Sequence, residues 1–138
     1  RAAVEENLRL EYHTQFDGSD AVVDGTDFET FLENTGEWRR SHREREYGDV
    51  ENTELLERIS PIHRVDQIRC PLFVQHGAND PRVPVVEARQ IIEAVSDQDV
   101  PVESAIFEDD GHHTTSRRNR IDQFEQIASF LDEHVGDA

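Results

Sequence analysis

Pro71-Leu72-Phe73-Val74-Gln75-His76-Gly77-Ala78-Asn79-Asp80-Pro81-Arg82-Val83-Pro84 decides how the rest of the chain is read. Leu72-Phe73-Val74-Gln75 is a short apolar run behind a proline, which predicts a strand leading into a loop. Beyond the loop, Val86 to Val95 reads as a helix and Val102-Glu103-Ser104-Ala105-Ile106-Phe107 as a second strand. A last helix is expected from Arg120, with Ile121, Phe124, Ile127, Ala128, Phe130, Leu131 and Val135 on or near one face. Strand, helix, strand, helix predicts an α/β fold whose parallel strands are joined by right-handed crossovers and flanked by helices.

Upstream the pattern is more helical. Val4, Leu8 and Tyr12 recur every fourth residue and predict an opening helix, while Ala21-Val22-Val23, bounded by Asp and Gly, suits a short buried strand. Phe28, Phe31 and Leu32 have helical spacing in a segment ending near Asn34, with Asp27 placed to cap it. Gly36 to Asp49, which carries Trp38, Tyr47 and a cluster of arginines, reads as a helical excursion outside the sheet. Asn52 to Ile59 is another short helix, ended by Ser60-Pro61 because a proline restrains the residue before it.

The 138 residues fit one domain, and no apolar run approaches the roughly 20 residues that would span a bilayer. Met is absent, Arg1 does not read as a translational start, and no charged region followed by an apolar stretch marks a secretory leader. Against 31 acidic residues stand 14 basic ones, all arginine, for a net charge of -17. So anionic a surface repels nucleic-acid phosphates and anionic lipid, so neither nucleic acid nor membrane is expected as a partner. The same self-repulsion is relieved by concentrated salt, and lysine-free acidity resembles proteins of salt-loving archaea; a potassium-rich cytoplasm is the expected home. Cys70 is single, cannot form an internal disulfide, and reads as a small buried side chain at a strand mouth.

In open parallel sheets, functional groups collect on the loops beyond the carboxyl ends of the strands. Asp80 follows the first of the two regular strands and the pair His112-His113 follows the second. Two neighbouring loops can thus bring a carboxylate and an imidazole together, and acid before histidine is the chain order of a Ser-Asp-His triad. The nucleophile of such a triad sits in a G-x-S-x-G elbow, and none occurs between Arg1 and Ala138. Ser19, Ser41, Ser60, Ser96, Ser104, Ser116 and Ser129 all lack that context. His76, at a strand end, reads as a packed core histidine, and Asn79 and Arg82 as residues that shape the acid loop. Adjacent histidines tend to diverge, unlike the i, i+4 pair of a helical zinc site, and Asp17, Asp20, Asp24 and Asp27 lack the spacing of a calcium loop. No metal and no cofactor are therefore expected.

His76-Gly77-Ala78-Asn79-Asp80-Pro81-Arg82-Val83-Pro84, Gly111-His112 and the following Asn119-Arg120 together resemble the acid and histidine loops of the prolyl oligopeptidase family. Ser60-Pro61-Ile62, Thr30 to Thr35 and Arg43 to Gly48 add to the likeness, which covers nearly the whole chain. The resemblance implies the C-terminal portion of an α/β-hydrolase sheet, with residues 1–138 a partial catalytic domain that does not include the nucleophile elbow. It implies Asp80 and His112 as the acid and base of a serine peptidase acting on short peptides. His113, where the family often has glycine, leaves a second imidazole beside the first. A carboxylesterase of the same fold uses the same triad and stands as an alternative. So does a catalytically incomplete remnant that acts only by association, because a sheet without its nucleophile strand exposes an edge. The serine is expected from an upstream segment, without which the chain is expected to be inactive; the exposed edge is expected to meet that segment or a second copy.

Overall fold

The computed structural model describes residues 25–135. The expected opening helix and the strand at Ala21 to Val23 lie outside the described residues. Three helices come first, α1 (Phe28–Asn34), α2 (Glu37–Tyr47) and α3 (Thr53–Ile59), followed by a 3-10 segment over Pro61–Gln67. Then come β1 (Leu72–Gly77), α4 (Val85–Ser96), β2 (Val102–Phe107) and α5 (Arg117–Val135). β1 and β2 pair in parallel, in register from Leu72 opposite Val102 to Gly77 opposite Phe107.

The helical part folds around its aromatic residues. Asp27 caps α1, its Oδ1 accepting from the Glu29 amide at 3.0 Å, and so frees the helix to bury Phe28, Phe31 and Leu32 completely. These pack with Leu55, Leu56 and Ile59 of α3 and with Val83, and Tyr47 of α2 closes the cluster. Complete burial of each large side chain stabilises by about 2–3 kcal/mol. Ser60 joins the two helices: its hydroxyl donates to the Leu56 carbonyl at 2.6 Å and accepts from the Phe28 amide at 2.8 Å. α2 ends at Gly48, whose φ of +120° suits glycine and whose missing Cβ would stand 2.8 Å from Leu55 Cδ2.

The sheet has a face for each of its helices. Leu72, Val74 and Val102 pack beside Ile68, Ile91 and Val95, which sets α4 and the 3-10 segment on one face. On the other face Phe73 stacks against Phe130 of α5 at 5.4 Å between centroids, and Gln75 accepts from Gln123 at 2.6 Å. Three details differ from expectation. α5 begins at Arg117 rather than Arg120, with the Arg120 amide bonded to the Ser116 carbonyl at 2.9 Å. Only part of its apolar face meets the sheet, since Ile121, Phe124 and Leu131 are exposed while Phe130 is turned inward. Cys70 is half-buried rather than buried.

Candidate active site

β1 and β2 end side by side, so the loops that follow them leave the sheet together. The Ala78 amide donates to the Phe107 carbonyl at 2.9 Å, the Asn79 amide to the Asp110 carbonyl at 3.0 Å, and the Asn79 side chain to the Glu108 carbonyl at 2.7 Å. Closeness at this point demands glycine: a Cβ on Gly77 would lie 2.0 Å from the Gly111 carbonyl oxygen and 2.7 Å from that of Asp110. No side chain fits there without parting the loops.

The first loop is folded around Asp80. Its Oδ1 accepts from the backbone amides of Arg82 at 2.7 Å and Val83 at 3.1 Å, and its own amide donates to the Gly77 carbonyl at 3.1 Å. His76 Nε2 meets the Val83 carbonyl at 3.0 Å. A carbonyl can only accept, so Nε2 carries the proton, and His76 closes the loop as a structural residue. Val83 is buried in the helical cluster, so α1 and α3 hold the acid loop down.

Oδ2 of Asp80 then faces the second loop and lies 2.8 Å from Nδ1 of His112. The Asp80 side chain is 4 % exposed and that of His112 30 %. Burial works to raise the Asp80 pKa, but the Arg82 amide, the His112 ring and the Val83 amide outweigh it and hold the carboxyl below its ordinary value. Ionised, it accepts only, so Nδ1 of His112 is the protonated nitrogen and Nε2 of the neutral ring keeps its lone pair. Of the adjacent histidines, His112 is the one that faces the acid; His113 is exposed and packs edge-on against it at 4.8 Å.

A second carboxylate sets the shape of the histidine loop. Asp110, 2 % exposed, accepts at Oδ1 from the Thr115 amide and hydroxyl, each at 3.0 Å, and from the Ser116 amide at 3.3 Å. Its Oδ2 accepts from the Asn119 side chain at 2.8 Å, which also donates to Asp109 Oδ1 at 2.6 Å. Asn119 first, then the Thr115 amide, hold the Asp110 carboxyl down to about 2 against the effect of burial. Sequence reading noted Asn119 only as part of a motif and passed over Asp110. The available signal was the run Asp110, Thr115-Ser116 and Asn119, an acceptor followed by matching donors no more than nine positions on.

Sequence reading also missed Glu87, in the first turn of α4 and 1 % exposed. Its Oε2 accepts from the amides of Thr26 and Asp27, each at 2.9 Å, and its Oε1 from the Thr30 hydroxyl at 2.8 Å. Burial raises its pKa, partly offset by these bonds. Glu87 thus ties the start of α1 to the helix that follows the acid loop.

Among the described residues no helix is long and apolar enough to cross a membrane. The chain resembles solved peptidases in fold: over 80 % of its length it superposes on the acylaminoacyl peptidase of Pyrococcus horikoshii with a TM-score of 0.72 at 18 % identity, covering 19 % of that chain. The described elements are thus part of an α/β-hydrolase fold. In sequence it is 48 % identical over 58 residues to a dipeptidyl aminopeptidase BIII of Pseudoxanthomonas mexicana, covering 42 % of this chain and 8 % of that protein. It is 32 % identical over 88 residues to dipeptidyl peptidase family member 6 of Caenorhabditis elegans, covering 64 % of this chain. That match spans only 12 % of the Caenorhabditis protein. The model of the prolyl oligopeptidase family matches residues 10–138, and the chain belongs to that family.

Proposed function

We propose that this chain is the C-terminal part of the catalytic domain of a serine peptidase, supplying the acid and base of a Ser-Asp-His triad whose serine comes from an upstream segment. The 2.8 Å contact between Asp80 Oδ2 and His112 Nδ1 carries the reading. With Nδ1–H given to the acid, Nε2 is the lone pair that takes the proton from a serine hydroxyl as it attacks a carbonyl carbon. The imidazolium so formed is stabilised by Asp80 and returns its proton to the leaving amine. The substrates would be short peptides, in keeping with the peptidases it matches. An ester would be cleaved by the same groups, so a carboxylesterase remains the rival enzyme.

A fluorophosphonate probe tests the division of labour. Labelling is expected only when an upstream segment with a serine elbow is co-expressed, and on that segment; labelling of the chain alone would overturn it. Among the described residues the sheet has two strands, and the edge expected of a sheet without its nucleophile strand favours a second reading, in which the chain acts only by associating with a partner or a second copy through that edge. Absence of labelling and of turnover in the joined protein would favour it. We place the protein in a salt-rich cytoplasm on its charge of -17, carried by arginine without lysine. A melting temperature that does not rise in molar potassium chloride would count against that placement.

A further inference from the structure

At the end of the sheet opposite to the acid and histidine loops, β2 and α5 bring together three residues that the proposed chemistry leaves unused. Glu103 lies near the start of β2, and Glu133 and His134 lie in the last turn of α5. The register pairs Glu103 with Phe73, and Phe73 stacks on Phe130, so Glu103 is on the sheet face that α5 covers. Phe130 also packs against the His134 ring at 4.7 Å and 65°, which fixes the plane of the imidazole.

His134 Nε2 is shut off from solvent and has no hydrogen-bond partner. Its ion-pair neighbour, Glu103 Oε1, is 3.7 Å away, beyond hydrogen-bond distance. A buried nitrogen left in this way costs about 1–3 kcal/mol, and two carboxylates, which repel each other, lie close by. One ligand atom from each of Glu103, Glu133 and His134 lies within 4.8 Å of the others. Ligands bound at about 2.0–2.2 Å in a tetrahedral shell stand about 3.3–3.6 Å apart, so side-chain rotations that draw the atoms in by roughly 1 Å bring all three into range.

We propose that Glu103, Glu133 and His134 form a binding site for a divalent transition-metal ion of the zinc class, with water completing the shell. An imidazole with two carboxylates suits zinc better than the all-oxygen shells of calcium or magnesium. The ion would neutralise both carboxylates, give Nε2 its missing partner, and clip the last helix to the sheet. This would be a structural site, separate from the Asp80 and His112 loops.

Cobalt(II), followed by its visible absorption, is the probe, with the full chain as the sample. One saturable equivalent is expected, weakened at least about tenfold by Glu103→Gln and by His134→Gln. Zinc should raise the melting temperature of the parent protein and not that of Glu103→Gln. His112→Ala with His113→Ala together should leave the binding intact, which separates this site from adventitious capture by the exposed histidines. Glu103 is solvent-exposed, so its glutamine variant keeps the fold and its result can be read. Failure of the parent chain to bind one equivalent, unchanged affinity in both Gln variants, or loss only in the His112 and His113 variant would overturn the site.

Discussion

Asp80 and Glu87 are two carboxylates seven residues apart, one on a loop and the other on the helix that follows it, and their environments push them in opposite directions. Both side chains are nearly inaccessible, and both accept two backbone amides. Asp80 also faces an imidazole, and its pKa falls; Glu87 has only neutral donors, and its pKa rises. Burial with a titratable partner suits a group that must carry charge while its neighbour gains and loses a proton. Burial among hydroxyls and amides suits a fastener between helices.

The largest effect should come from breaking the first region. In the complete enzyme, His112→Ala is expected to lower kcat by about three orders of magnitude or more, and Asp80→Asn by a similar factor, with far smaller changes in KM. Steady-state kinetics on a short peptide would check this, and near-normal turnover in His112→Ala would remove that residue from its role.

Gly77→Ala comes next, because it strikes the contact between the loops without touching either ring. The added Cβ would meet backbone, which cannot swing aside as a side chain can. A loss of about 3 kcal/mol in urea denaturation is expected, together with lower activity. Wild-type stability in this variant would mean that the loops can separate freely.

Glu87→Gln should have the smallest effect and the most specific pH signature. A carboxyl whose pKa is raised on folding opposes folding while ionised, so its cost is present at neutral pH and disappears as pH falls through the raised value toward about 4.3. The parent should therefore gain stability from this group over that range, whereas Glu87→Gln should lack the gain. Asp80 behaves oppositely. Its depressed pKa contributes stability above about pH 3.9 that is lost as the pH falls through the folded value. Chemical denaturation from neutral pH to pH 3 separates the two, and a parallel pH profile for Glu87→Gln and the parent would refute the assignment for Glu87.

Much of the fold was legible because its signals are local. The strand at Leu72, the helix at Val86 and the strand at Val102 each announce themselves within a few residues, and alternation of strand with helix leaves few ways to connect them. The cap at Asp27 and the break at Ser60-Pro61 are equally short-range. α5 was harder, since its apolar residues cover more of its circumference than the two described strands bury, so periodicity alone did not say that Phe130 turns inward while Phe124 faces outward. The 3-10 segment at Pro61–Gln67 carries a kink at Arg64 and gave no clean period to read.

What the sequence determined by itself, then, is the alternating α/β order and the placing of an acid and a histidine on successive loops, because residue type and spacing along the chain encode both. Tertiary structure decided the rest. It brought the ring of His112, which the resemblance had already singled out, against Asp80, made Asp110 and Asn119 the brace of the histidine loop, and left Gly77 no room for a side chain. It joined Glu87 to Thr26, and Glu103 to His134, across long stretches of chain. Each of these depends on where two distant backbones come to rest, and that follows from the packing of Val83, Phe73 and Phe130 rather than from any local pattern.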